Sequence, residues 1–353
     1  MAAGPRTPGA VTVVVTVLRD PRVARALESL RQQRRAPACV LVDDGGGPGS
    51  PVRAIAEAAA RDWPAVRWLD APGTIAESRN RALREVTTEF VAFLDADEIA
   101  PPGWLEELVA PLEADPGLAF TGGPTPALPG SIRGAGVAYY DAYLRRFYDT
   151  VAADHPASLP MGNSAWRMEV FDRLGPLDTT LYPRASSEDQ EFAVRALSAG
   201  WRGRYVPSAW VEHDFSDLTS GGILAKQSRY ALGGFVVWRR HGSTYEATGG
   251  RLAPYLAPPA LLLVGAVVAP FGPALGLVLL LLGAAGLGAL ALALTVQGLR
   301  WESRYPGMRF RAFEILRRWA TLVGAARGWV RYGWSGRRGT GRSGSGAPVS
   351  GKP

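Results

Sequence analysis

The chain is 353 residues long, enough for one large domain or two ordinary ones. Its single cysteine, Cys39, excludes an intramolecular disulfide and a cysteine-rich zinc site. The net charge of +7 is unevenly spread: residues 300–353 carry twelve Arg or Lys against two Glu, so the preceding 299 residues sum to −3. A basic tail beside a near-neutral body points to nucleic acid or to a membrane surface.

The opening MAAGPRTPGAVTVVVTVLRD does not read as a signal peptide. Its apolar run is short and valine-rich, with no small-residue cleavage site behind it. VTVVVTVL (11–18) instead predicts a strand buried on both faces. RVARALESLRQQ (22–33) has helical spacing in Val23, Ala26, Leu27 and Leu30, and ACVLVDD (38–44) predicts a second buried strand that ends in acids. SPVRAIAEAAARD (50–62) predicts a helix with Ser50 as N-cap and Pro51 at its first position. AVRWL (65–69) is a short strand, and TIAESRNRALREV (74–86) a helix opened by a Thr74/Glu77 capping box. EFVAFLD (89–95) is the fourth strand. Four strand–helix alternations predict an α/β sheet with parallel strands and right-handed crossovers. Ligands of such sheets bind beyond the carboxyl ends of the strands, where Asp43-Asp44 and Asp95/Asp97 fall.

Residues 121–160 are rich in Gly and Pro, include the aromatic patch AYYDAYLRRFYD, and predict irregular structure on the acceptor side. NSAWRMEVFDRLG (163–175) predicts a helix closing on Gly175. SSEDQEFAVRALSAG (186–200) predicts a helix with Ser at its cap, acids in its first turn and Gly at its end. GRYVP and AWVEH follow as short strands. ILAKQSRYALGGFVVWRR (223–240) mixes apolar and basic residues, which suits either an amphipathic helix at a membrane surface or a core helix.

Between Arg251 and Arg300 the chain has 48 residues without a charge. A spanning helix needs roughly 20 apolar residues. The stretch therefore predicts two spans, at 253–270 and 274–297, broken near Pro270–Pro273. Arg239 and Arg240 precede it, and Arg300, Arg304, Arg309 and Arg311 follow, so both ends are expected on the cytoplasmic side. The basic segment behind it is expected to lie on anionic lipid. The low-complexity end, GRRGTGRSGSGAPVSGKP, is expected to be disordered. The chain thus divides into a catalytic domain (1–215), an interfacial segment (216–251), a transmembrane pair (252–299), a basic membrane-surface segment (300–335) and a tail (336–353).

Four constellations carry candidate chemistry. Asp95-Ala96-Asp97 at a strand end offers two carboxylates to a hard cation, Mg²⁺ or Mn²⁺, or else merely solvates a turn. VDDGG (42–46) suits a base or ribose contact, or an ordinary Asp-Gly turn. Glu188 and Asp189 lie at a helix N-terminus, where a carboxylate held ionised serves as a general base or simply caps the helix. His213, one of three histidines, ends a strand and is either a ligand to the same metal or structural.

In order, VTVVVTVLRD, ALESLRQQ, VLVDDGG, GTIAESRNRAL, FVAFLDADEIAPPGWLEEL, MGNSAWRMEVFDRLGPLD, SEDQEFAVRALSAGW and YVPSAWVEHDF resemble the family 2 glycosyltransferases. The resemblance covers some 200 residues, from Val11 to His213. It implies a GT-A fold, in which a Rossmann-like mixed sheet flanked by helices binds a nucleotide-diphosphate sugar; here a transmembrane hairpin would follow it. It also implies inversion at the anomeric carbon and a divalent metal, Mg²⁺ or Mn²⁺. By the same resemblance Asp43 contacts the base, Thr16 lies beside the nucleotide and Arg79 stands near the diphosphate. Asp95 and Asp97 form the D-x-D, with Asp97 the direct metal ligand. Asp189 is the catalytic base with Glu188 its neighbour, and His213 joins the metal or diphosphate site. The chain departs from the family in having Leu18-Arg19 where Tyr and Asn often follow the first strand, which leaves base stacking without an obvious residue. The Q-x-x-R-W motif of processive members is matched only by Lys226–Tyr230, KQSRY.

The expected activity is therefore transfer of one sugar from a nucleotide-diphosphate donor to a hydroxyl of a membrane-associated acceptor. The alternatives are a processive polysaccharide synthase and an inactive membrane scaffold of the same fold. Nucleic acid is not expected as a partner, because the basic surplus adjoins the apolar stretch and no recognition motif accompanies it.

Overall fold

In the computed structural model, the residues described are 5–154, 156, 159–180, 187–242, 249–304 and 311–332. The predicted 336–353 tail lies outside them, as do Ser186 and Arg309.

The first half follows the predicted alternation. β1 (Thr7–Val17), β2 (Cys39–Asp44), β3 (Val66–Asp70) and β4 (Thr88–Asp95) are separated by α1 (Val23–Arg31), α2 (Pro51–Asp62) and α3 (Ile75–Glu85). The local signals act as read. Ser50 accepts from the Val52 N–H and Pro51 opens α2. In α3, Thr74 and Glu77 close a reciprocal capping box, which satisfies two otherwise orphaned amides.

Beyond β4 come β5 (Glu98–Ile99), α4 (Trp104–Ala114), β6 (Leu118–Gly122), α5 (Ala135–Thr150), β7 (Asn163–Arg167), α6 (Met168–Leu174), α7 (Glu188–Ser198), β8 (Arg202–Tyr205) and β9 (Glu212–His213). Seven strands form one sheet in the order β3-β2-β1-β4-β7-β6-β8, and β5 pairs with β9 in a second, two-stranded one. β7 alone runs against its neighbours in the large sheet, so the sheet is mixed. The chain winds outward from β1 through β2 to β3, then returns to place β4 on the other side of β1. This reversal is the topological switch point, where the strand ends diverge and leave a crevice.

Two expectations are corrected here. Residues 163–167 are a strand, and the helix begins only at Met168. All five strand residues are buried, so tertiary burial on both faces overrides the helical appearance of the longer stretch. Within 121–160, Ala135–Thr150 form a regular helix. Its buried face includes Val137, Asp141 and Tyr148 at helical spacing, with a polar residue in the middle that hides the pattern. Asp141 is satisfied there by Arg145 and by the Ala127 N–H.

The sheet has a core on each face. Val13, Val15 and Val42 pack with α1, α2 and α4, whereas Val14, Leu41, Val91 and Phe93 pack with α3, α6 and α7. Asn163, fully buried, ties the far end together. It accepts from Trp104 Nε1 at 2.7 Å and donates to the Pro124 and Ala209 carbonyls at 3.0 and 2.9 Å. Backbones approach so closely here that a Cβ on Gly123 would lie 1.8 Å from the Ala209 oxygen.

The C-terminal third is helical: α8 (Ser220–His241), α9 (Gly249–Val268), α10 (Pro273–Arg304) and α11 (Arg311–Tyr332). α9 and α10 pair as a hairpin, and α8 packs on α5, α7 and α11. Among the described residues one helical stretch, Pro273–Ala293, is long and apolar enough to cross a membrane. The apolar part of its partner, Ala257–Val268, is shorter. The predicted break near Pro270–Pro273 matches the turn between the two helices.

Candidate active site

Strand register builds the floor of the site. Thr16 of β1 is paired with Asp43 of β2 on one side and Asp95 of β4 on the other. Residues paired across parallel strands share a face, so all three side chains emerge at the switch point toward α3. Arg79 of α3 meets them there. Its Nε donates to Thr16 Oγ1 at 3.3 Å, and its two terminal nitrogens donate to Asp95 Oδ1 at 3.3 Å and Glu188 Oε1 at 3.1 Å. With Arg79 buried at 3% exposure, this guanidinium is the internal counter-charge of the site.

Asp43 is fully buried; neither of its oxygens makes a hydrogen bond of normal length and angle, and the Ser78 hydroxyl is the donor close enough to pull on it. Burial pushes its carboxyl up to about 6, against the pull of Ser78 and Arg79. The Ser78 hydroxyl likewise makes no hydrogen bond of normal geometry. An unpaired buried carboxylate is costly unless a ligand supplies donors, which a nucleobase does through ring and exocyclic N–H groups.

A second group lies where the two-stranded sheet closes. Pairing of β5 with β9 sets Glu98 opposite His213. His213 Nε2 lies 3.1 Å from Asp97 Oδ2, and its Nδ1 lies 3.6 Å from Glu98 Oε1. Burial disfavours the Asp97 carboxylate, but the His213 hydrogen bond and Arg22, 3.8 Å away, outweigh it and hold the group below its usual range. Burial disfavours charge on His213 too, yet Asp97 raises it overall. Glu98 is pushed up to about 8, first by burial and then by the charge of Asp95. Its Oε2 accepts from the Asp95 N–H at 3.1 Å, which fixes the turn carrying the D-x-D.

The predicted residues thus fall into two linked groups: Thr16, Asp43, Arg79, Asp95 and Glu188 on one side, Asp97 and His213 on the other. Asp95 pairs with Arg79. Among the described residues no group of three His, Cys, Asp or Glu side chains converges to hold a metal. The Asp97–His213 pair still fits a cation that completes its shell with phosphate oxygens and water, as Mg²⁺ and Mn²⁺ commonly do; an imidazole ligand favours Mn²⁺. Asp189 sits half-buried in the first turn of α7, with Oδ1 accepting from the Gln190 N–H at 2.7 Å. Its neighbour Glu188 is raised to about 7, by burial first and by the charge of Asp189 second.

Three residues of the site were given no role from the sequence. Arg22 binds Asp20 and Asp217 and reaches Asp97. Glu98 holds the D-x-D turn. Gly162 leaves room for Asp95, since a Cβ there would lie 2.4 Å from Asp95 Oδ2. Arg22 and Glu98 stand next to the predicted strand ends, and that adjacency was the available signal.

A Rossmann-like mixed sheet with acids and a buried arginine gathered at its switch point is the GT-A arrangement of glycosyltransferases. The family profile described as "Glycosyl transferase family group 2" matches residues 90–301, more than half of the chain, and "Glycosyl transferase family 2" matches residues 12–134. The chain belongs to the family 2 glycosyltransferases. Similar curated proteins are the pre-mycofactocin glycosyltransferases of two Mycobacterium tuberculosis strains, each 31% identical over 226 residues. That alignment covers 60% of this chain and 45% of the relative, so the match spans a little under half the length of those proteins. Among solved structures, the mannosyltransferase PcManGT from Pyrobaculum calidifontis, in complex with GDP-Man and Mn²⁺, superposes with a TM-score of 0.60 at 19% identity. The superposition covers 94% of this chain and 90% of that one, and the two share a fold.

Proposed function

We propose that this chain is an inverting glycosyltransferase that moves one sugar from a nucleotide-diphosphate donor to a hydroxyl of a membrane-associated acceptor, a lipid-linked or cell-envelope glycan. The observation that carries this reading is the register that aligns Asp43, Thr16 and Asp95 on three adjacent strand ends, with the Asp43 carboxylate fully buried beside them. The similarity to glycosyltransferases, one of them solved with GDP-Man and Mn²⁺, supports it.

In the mechanism, Asp43 accepts from the nucleobase and Thr16 lies beside the nucleoside. Asp97 and His213 are the residues that would hold a divalent cation, with Asp95 on the adjoining turn. When bound, that cation neutralises the diphosphate and stabilises it as a leaving group. Asp189 accepts the proton of the acceptor hydroxyl, whose oxygen bonds to the anomeric carbon from the face opposite the diphosphate. The bond from that carbon to the diphosphate oxygen breaks, and its electron pair leaves with the nucleoside diphosphate. Arg79 stands where this charge develops, so its stabilisation is greatest in the transition state. Glu188 holds Arg79 in place from the side of the base.

The membrane part of the proposal rests on the apolar helix Pro273–Ala293 and on the arginines flanking the hairpin in the sequence, Arg239 and Arg240 before it and Arg300, Arg304, Arg309 and Arg311 after it. We place both ends of the hairpin, and with them the catalytic domain, on the cytoplasmic side. A single hairpin offers little wall for a polymer channel, which favours single-sugar transfer.

The test is a thermal-shift screen of UDP-, GDP- and dTDP-sugars with and without Mn²⁺, followed by Asp189→Asn. One donor class is expected to stabilise the protein in a metal-dependent way, and Asp189→Asn to keep that binding while losing transfer. Indifference to all three donors, or full turnover by the variant, would remove the reading.

A further inference from the structure

The chain has 37 arginines and two lysines, and Lys226 is the one lysine within the described residues. It projects from α8 between two aromatic rings: its Nζ lies 5.8 Å from the ring centre of Tyr140 on α5 and 5.7 Å from that of Tyr230 on α8. Tyr140 is tilted against Phe215, which in turn packs on His213, so the cage adjoins the Asp97–His213 pair. Tyr230 is 41% exposed, and the cage opens to solvent on that side.

The neighbouring acids are already engaged. Asp97 is held by His213 and Arg22, while Asp95 and Glu188 share Arg79. No ion pair of Lys226 with a carboxylate is found among the described residues, although the charge of Asp97 reaches it. Tyr230 in turn lies close enough to Asp189 to feel its charge. The lysine thus adjoins the pair that would hold a cation through Tyr140 and Phe215, and its other ring partner, Tyr230, is within reach of the charge of the proposed base. The two tyrosines, one of them also hydrogen-bonded to the ammonium through its hydroxyl, fix the group in place without pairing it with an anion. A compact, three-donor point charge suits a phosphate oxygen.

We propose that Lys226 is a phosphate-binding residue, clamped by Tyr140 and Tyr230, and that it meets a phosphate group of one of the two substrates. The inference rests on the glycosyltransferase reading and extends it to a residue on the acceptor side of the cleft. Two sources present the same chemistry: the diphosphate of the nucleotide donor, or the phosphate of a polyprenyl-type lipid acceptor.

The experiment uses the full chain in detergent or nanodiscs. Calorimetry with Mn²⁺ present compares wild type, Lys226→Met and Lys226→Arg for UDP, GDP, a short-chain prenyl phosphate and the matching prenyl alcohol. Lys226→Met is expected to weaken a phosphate ligand by about tenfold or more, with Lys226→Arg retaining part of the affinity. A loss confined to the nucleotide assigns the donor, and a loss for prenyl phosphate but not prenyl alcohol assigns the acceptor. A measurement that needs no substitution at the site uses selectively ¹³C-labelled lysine, which gives two side-chain signals, assigned with Lys352→Arg. The Lys226 signal is expected to shift with the same phosphate ligand. If neither the affinities nor that signal respond to any phosphate while Asp43→Ala still abolishes nucleotide binding, the role of Lys226 is overturned and the glycosyltransferase reading stands. If the wild type binds no nucleotide at all, both fall.

Discussion

Arg79 donates to Glu188 at 3.1 Å across 109 positions of the chain, and so locks the first turn of α7 onto α3. The same guanidinium holds Asp95 at 3.3 Å, so one cation separates two acids that would otherwise face each other. Arg79→Met is expected to destabilise the protein by about 3 kcal/mol, because breaking a buried pair strands its partners. Adding Glu188→Gln should recover part of the loss. Thermal unfolding of the single and double variants measures the coupling.

Asp43 gives a pH signature of definite sign. Its folded carboxyl is raised from 3.8 to about 6. In that window the native state keeps a proton that the unfolded chain has released, so stability falls as pH rises from about 4 through 6. The ionised form costs about 3 kcal/mol above that window. Asp43→Asn should flatten this dependence, as followed by chemical denaturation at a series of pH values. Nucleotide binding should respond in the opposite sense and weaken in the wild type below about pH 6, where Asp43 becomes protonated.

The Asp97–His213 pair predicts how a cation competes with protons. Asp97 raises the His213 imidazole, and a ligating nitrogen must be free of its proton. Mn²⁺-dependent nucleotide affinity should therefore increase with pH. Asp97→Asn should reduce that affinity by about tenfold or more, a range typical of lost metal-site groups. Titration followed by electron paramagnetic resonance of Mn²⁺ checks both expectations.

Gly162→Ala tests the room given to Asp95. The added methyl would fall 2.4 Å from Asp95 Oδ2, the end of a short side chain that can swing aside. The fold should survive with a small loss of stability, while transfer falls by about a hundredfold through misplacement of the carboxylate. Comparison of unfolding temperature with turnover separates the two effects.

Much of the donor side was legible in the sequence, because β1 to β4 announce themselves by valine runs and their helices by caps. Asp43 and Asp95 could be placed at strand ends before any coordinates. Their alignment on Thr16 could not, since register depends on pairing across the sheet. The helix at 135–150 was hidden by Asp141 in its apolar stripe and by its opening on Gly134, which has a φ of 79° and no capping side chain. The strand at 163–167 was hidden because nothing local distinguishes a doubly buried strand from a helix start. Arg22 gave no local signal of its partners Asp97 and Asp217, which lie far away in sequence.

The crevice is thus made of two materials. One wall is cut from parallel strands, where backbone pairing fixes Asp43, Thr16 and Asp95 and a slip of one residue in any strand would turn its side chain to the other face of the sheet. Its opposite wall is made of α5, α7 and α8, which rest on one another and on α11 by side-chain packing. Such packing tolerates repacking far better than strand pairing tolerates a shift. On the proposed function, divergence in what receives the sugar is then open to gradual change on the helical wall, while the strand ends proposed to hold the nucleotide stay as they are.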